Sequence, residues 1–209
     1  MCFWLLISIL LTPALAEQPW EAVSDKDGIQ VFRRQEAGAS VFAFRGEADV
    51  DVHVSRLIAT QRDRNKSLDW VDLLTEIEYR MVGETSAHLY MRYGLSWPIQ
   101  DRDYVVLREV EYEPEKKVYR VRYQSVDDPQ WPEDDCCVRA MAYRTFWQFT
   151  ALEGGKTHVE VEVFTDPKGA IPTWLVNLVQ KDWPHNSITR LSERAMKDDV
   201  TPTPELADW

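Results

Sequence analysis

The chain has 209 residues, with 24 Lys and Arg against 35 Asp and Glu, a formal net charge of -11. So acidic a balance argues against binding to a nucleic-acid backbone and against nonspecific adhesion to anionic lipid surfaces. The length suits one domain with a large core.

Residues 2–15 are uncharged and mostly apolar, too short a run to span a bilayer comfortably. Ala14-Leu15-Ala16 fits a small-x-small cleavage site, with Glu17 as the new first residue. The reading is a signal peptide over residues 1–16, cleaved after Ala16, with export to the periplasm if the source is a Gram-negative bacterium. No basic residue precedes the apolar run, so a hydrophobic tail or an anchor is the alternative. Loss of Cys2 with the signal leaves the adjacent Cys136 and Cys137. They either close a vicinal disulfide or stand as two thiols at a strand start, pointing opposite ways. There is no CxxC pair and no HExxH motif, so neither a metal nor a cofactor is expected.

Two early strands are predicted over residues 29–34 and 41–48, then a short helix over 51–63 that Asp51 could cap. Residues 64–69 read as polar and irregular. Strands follow over 76–81, 87–93, 103–112, 118–126 and 138–149, with apolar residues such as Ile77-Tyr79-Met81 and Tyr119-Val121-Tyr123 alternating along one face. Residues 127–135 (DDPQWPEDD) form an acidic loop. Val159, Val161 and Val163 alternate with His158, Glu160 and Glu162, giving a further strand with one dry face, and Asp166-Pro167-Lys168-Gly169 is a turn. A last helix runs from about Pro172 to Met196, with Trp174, Leu175, Leu178 and Val179 as its bulky apolar stripe and a kink at Pro184. The domain thus spans residues 17–198, followed by a loose tail over 199–209. The fold class is α+β: one sequential antiparallel sheet, curved strongly enough to wrap a single long helix and leave space beneath it.

Two segments carry a family resemblance. YGLSWPIQDRDYVVLR (residues 93–108) resembles the Pro-x-x-x-Arg-Asp-Tyr/Phe-Val strand signature of START (steroidogenic acute regulatory protein-related lipid transfer) domains. DPKGAIPTWLVN (166–177) resembles the turn that enters their C-terminal helix. The resemblance covers residues 20–196. It implies the helix-grip fold, in which a curved antiparallel sheet around the C-terminal helix encloses a hydrophobic tunnel, and noncovalent binding or transfer of a lipid or sterol. Arg102 and Asp103 match a pair that is structural in the family. Arg108 matches an arginine that faces the cavity in sterol-binding relatives, but the place of its acidic partner falls near Tyr90. In phosphatidylcholine-binding relatives an Arg and an Asp bracket a Trp that matches Trp70; here those places hold Ser67 and Val71. The resemblance therefore implies the fold more directly than the ligand.

The candidate ligand-binding residues are Arg108, Tyr79, Tyr90, Tyr104, Trp147, Trp174 and Leu178. The aromatics sit on apolar faces of strands or of the last helix, where they are either ordinary core or cavity lining. Arg108 shares a strand face with Tyr104, Val106 and Val110. A guanidinium inside an apolar tunnel costs several kcal/mol unless a carboxylate, water or ligand oxygen compensates it. No nucleophile elbow or phosphate-cradling glycine loop is present. The leading expectation is a non-catalytic carrier of one lipid, sterol or other hydrophobic molecule, in transient contact with membranes and without a nucleic-acid partner. The alternatives are an enzyme acting on a hydrophobic substrate in the same cavity, and an envelope interaction module whose pocket is filled by its own side chains.

Overall fold

The computed structural model describes residues 18–209. The candidate signal peptide, its cleavage site and Cys2 lie outside them. Ten strands form one sheet in the order β1-β2-β3-β10-β9-β7-β6-β5-β4, antiparallel except that the short β8 pairs parallel with β6. The strands are β1 (Glu21–Lys26), β2 (Ile29–Gln35), β3 (Phe42–Val50), β4 (Leu74–Met81), β5 (Ser86–Tyr93), β6 (Asp101–Glu113), β7 (Val118–Ser125), β8 (Cys137–Arg139), β9 (Met141–Ala151) and β10 (Thr157–Asp166). The helices are α1 (Val54–Arg62), the single turn α2 (Ser67–Trp70) and the 23-residue α3 (Thr173–Ala195). This is the α+β helix-grip arrangement.

Alternation decides which face is dry. Val159, Val161 and Val163 of β10 are buried and meet Phe44, Trp147 and Phe149 in the main core. The intervening charges pair across the outer face, where Arg144 bridges Glu36 and Glu162. Helix α3 lies over β2, β3 and β10. Phe42 N–H donates to Asn177 Oδ1 at 3.0 Å, and Gln180 Nε2 donates to Thr165 O at 3.0 Å. The helix comes close to the sheet at Gly46 of β3, where an added Cβ would stand 2.6 Å from Pro184 Cβ. Pro184 sits inside α3, which continues through it as a single helix.

Three local expectations are corrected, and one strand escapes the sequence reading altogether. The first strand, β1, reads weakly because its sequence, EAVSDK, has little apolar alternation and it pairs only with β2 at the sheet edge. Helix α1 begins at Val54 and is capped by His53, whose Nδ1 accepts from Ser55 N–H at 3.2 Å, so Asp51 is not the cap. The strand expected over 138–149 is two, β8 and β9. The former adds to β6 on the same side as the 127–135 loop. Residues beyond α3 are packed and not loose. Val200, Thr203 and Leu206 are buried, Thr203 N–H donates to Ser55 O at 3.0 Å, and Arg194 grips Asp199 through two 2.8 Å bonds. Apolar area at Val200 and Leu206 holds the segment against α1 despite its two prolines.

Cys136 is exposed and Cys137 buried, both as free thiols. Asp134 and Cys137 push the Cys136 thiol up to about 12, which keeps it protonated.

Candidate functional site

Between the first half of α3 and the inner face of the sheet lies a cavity of about 730 Å³. That is within the range of sites that enclose one drug-sized ligand. Strands β4, β5, β6, β7, β9 and β10 supply its floor and walls. The first half of α3 forms its roof, while α1 and α2 close one side. A space bounded this way requires the sheet to wrap the helix, so the interior is hollow and not filled by its own aromatics.

The inward positions follow the pleat. Strand β4 contributes Ile77, Tyr79 and Met81, and β5 contributes Leu89, Met91 and Tyr93. Tyr104, Val106, Arg108 and Val110 come from β6. A satellite cluster of Ala87, Leu89, Val106 and Ala142 forms the apolar floor. Trp147 meets Trp70 edge-on at 6.1 Å and Trp183 at 6.2 Å, joining sheet, α2 and roof in one aromatic wall. Tyr93 and Tyr104 pack edge to face at 5.6 Å. Burial raises the phenols of Tyr93, Tyr104 and Tyr123, with Tyr104 reaching about 12. All three therefore remain neutral, able to donate a hydrogen bond near physiological pH.

Of the seven sequence-predicted residues, Arg108, Tyr79, Tyr104 and Trp147 line the cavity. Tyr90 does not. It falls on the outward phase of β5 with His88 and Arg92, and it stacks on Trp131 of the 127–135 loop with ring centroids 6.3 Å apart. Trp174 and Leu178 do not line it either; they are 68% and 56% exposed. The inward stripe of α3 runs instead through Leu175, Val176, Val179, Gln180 and Trp183. Tyr93, Tyr119 and Tyr123 are lining residues that the candidate set omits. The alternation of β5 and β7 carries the signal for them.

His88 and Arg92 make no polar spot inside. His88 Nδ1 meets Asp128 Oδ2 at 2.5 Å, and Arg92 meets Asp101 at 2.7 Å. Arg102 reaches the cavity wall, but its guanidinium is occupied by the backbone carbonyls of Pro167 and Lys168, both at 3.1 Å, and of Gln100. It ties the 94–100 loop to the 166–172 turn. Asp103 pairs with Arg139 at 2.9 Å. Both residues of the signature are thus engaged in holding the frame.

One end of the cavity is rimmed by apolar side chains open to solvent. Ile99 and Val179 belong to the lining and are 36% and 59% exposed. Trp97 in the same loop is 92% exposed, and Trp174 and Leu178 stand on the same turns of α3.

A family model described as START domain matches residues 8–188 of the chain. An uncharacterized protein of Pseudomonas aeruginosa is 29% identical over 184 residues, 88% of this chain and 90% of that one. The phosphatidylcholine transfer protein of Bos taurus is 29% identical over 180 residues, 83% of this chain and 82% of its own length. Among solved structures, human STARD10 superposes with a TM-score of 0.79 at 19% identity, covering 86% of this chain and 74% of that one. A fragment of a STAR-related lipid transfer protein from Xanthomonas axonopodis superposes with a TM-score of 0.74 at 24% identity, covering 85% and 99%.

Proposed function

The chain belongs to the START domain family, and from that premise we propose that it binds one lipid, sterol or other hydrophobic molecule noncovalently beneath α3 and carries it between membranes. The observation that carries the reading is the cavity itself, about 730 Å³ of space with a mostly apolar lining in the middle of the molecule. Leaving such a void empty forfeits the dispersion contacts of every side chain around it. An apolar ligand restores them. Burying roughly 300 Å² of hydrocarbon is worth on the order of 7 kcal/mol at about 25 cal/mol per Å², before association and ordering costs.

The lining favours binding over catalysis. Its ionisable residues are arginines, tyrosines and Glu84, with no histidine or cysteine among them. A convergent acid–base pair has no support in that set. The exposed ring of Trp97, Ile99, Trp174, Leu178 and Val179 supports a transient membrane contact through the open end. Contiguous apolar area beside a cavity mouth suits insertion at a lipid interface, where Trp is at home. Export follows from the candidate signal over residues 1–16.

The test is transfer of a fluorescent phospholipid and a fluorescent sterol from donor to acceptor vesicles by delipidated protein. Protein-dependent transfer of either supports the reading. Absence of both transfer and binding across lipids and sterols refutes it.

A further inference from the structure

The charge inside the cavity runs opposite to the charge of the protein. On a chain of net charge -11, the lining carries Arg62, Arg64, Arg102 and Arg108 against the single carboxylate Glu84. Two of these cations are already answered. Arg102 is consumed by three backbone carbonyls, and Arg62 pairs with Glu205 and donates to the Tyr119 hydroxyl at 3.2 Å. Arg108 and Arg64 are not. Neither has an ion pair to a carboxylate among the described residues, and Glu84 stands exposed in the turn between β4 and β5 without one either.

Arg108 lies in the cavity wall, where its guanidinium is hydrogen-bonded to Tyr123 and the phenols of Tyr119 and Tyr79 lie near; no carboxylate is among these neighbours. Arg64 lies at the rim with its guanidinium 3.9 Å over the Tyr79 ring. Tyr79 therefore has a guanidinium on each side, neither paired with a carboxylate among the described residues. A recess lined by Arg62, Asp63, Arg64, Asn65, Ile77 and Tyr79 opens next to it, with the Asp63 carboxylate accepting from Asn65 N–H at 3.1 Å. The inward face of β5 opposite Arg108 offers only Ala87, Leu89, Met91 and Tyr93, so no acid from the neighbouring strand can neutralise it. A guanidinium in an apolar wall with only hydroxyl partners gains a stronger, charge-assisted bond when the ligand delivers an anion.

Resting on the binding reading above, we propose that the ligand is an amphiphile with an anionic headgroup, a carboxylate or a phosphate. Its charge pairs with Arg108, with Arg64 guiding it past Tyr79, and its hydrocarbon lies over the floor around Leu89 and Val106. The hydroxyls of Tyr123 and Tyr119 supply the remaining donors to the same anion. The net charge of -11 disfavours loose binding of anionic lipid over the rest of the surface.

The test is titration of delipidated full-length protein with oleate, dioleoyl phosphatidic acid, oleyl alcohol and dioleoyl phosphatidylcholine, for the wild type and for Arg108→Gln, Arg108→Lys and Arg64→Gln. The expected result is preference for oleate, phosphatidic acid or both over oleyl alcohol and phosphatidylcholine. Arg108→Gln is expected to lose about tenfold or more of that preference while still binding oleyl alcohol. Arg108→Lys should retain part of it, and Arg64→Gln should slow uptake. The oleate and phosphatidic acid arms decide between carboxylate and phosphate. Binding of the alcohol or of phosphatidylcholine as tightly as the anions overturns the headgroup inference and leaves the carrier reading standing. So does unchanged preference in Arg108→Gln. Failure to bind any of the four overturns both. If Arg108→Gln does not fold, the charge-retaining Arg108→Lys and the rim variant decide the question.

Discussion

Gly46→Ala tests how tightly the roof is seated on the sheet. In an otherwise open strand, replacing Gly by Ala stabilises by about 0.5–1 kcal/mol, because Gly loses more backbone freedom on folding. Here the new methyl would stand 2.6 Å from Pro184 Cβ, 3.4 Å from Ile188 Cδ1 and 3.5 Å from the Pro184 carbonyl carbon. Carbon pairs are comfortable at about 3.5–4.0 Å, so α3 has to move by about 1 Å. The obstacle is a proline ring carbon close to the helix backbone, so rotation of a side chain cannot relieve the clash. Overpacking of this kind costs about 1–3 kcal/mol, which reverses the sign expected from backbone entropy alone. Urea unfolding reads it directly. With m of about 1–3 kcal/mol per M, the midpoint should fall by about 1 M at unchanged m. A variant as stable as the wild type, or more so, would refute the account of a helix pressed onto β3 at Gly46.

Leu206→Ala should cost about 2–5 kcal/mol in thermal or urea unfolding, since Leu206 is 3% exposed and belongs to the main core; no change would mean that the segment beyond α3 is not part of the fold. Arg108→Met should leave the Tm of ligand-free protein within about 2 °C, because loss of the Tyr123 hydrogen bond offsets relief of a half-buried cation with no carboxylate partner; a fall of about 4 °C or more would mean that Arg108 holds the fold itself and not chiefly the ligand. The Asp128 carboxyl is held well below the usual carboxylate range by His88 first, then by Gln130 N–H and Arg80. A depressed acid contributes stability above its unfolded pKa and loses it as pH falls through its folded value. Hydrogen exchange over residues 127–135 should therefore accelerate as pH drops below about 4, after correction for the intrinsic rate, and should be fast in Asp128→Asn at neutral pH. Equal protection in variant and wild type would contradict the role given to that carboxyl.

Strands were the most legible part of the chain, because a half-dry sheet enforces a period of two that Val159-Val161-Val163 or Tyr104-Val106-Arg108 displays without help from tertiary structure. Arg108, Tyr79, Tyr104 and Trp147 could be placed on inward faces for that reason. Tyr90 could not. Its ring looks apolar in a list, but the pleat of β5 turns it outward, and the partner that covers it, Trp131, arrives from a loop whose docking nothing local announces. The phase of α3 was hidden for a different reason. Trp174, Leu175, Val176, Leu178 and Val179 surround the first turns with apolar groups, so no single stripe stands out. The bulkiest members face solvent while Leu175 and Val176 face the cavity. Two prolines made residues beyond 199 resemble a loose end, although burial of Val200 and Leu206 outweighs the irregular backbone. The absence of an acid opposite Arg108 was partly visible in the family comparison. The pairing of Arg62 and the engagement of Arg102 appear only once the chain is folded.

Native mass spectrometry of protein purified gently from its own host is the most direct measurement on the occupied cavity. The predicted result is a single noncovalent adduct per chain, released as a lipid-soluble molecule on denaturation. A bare polypeptide mass, unchanged after incubation with lipids and sterols, would contradict the account.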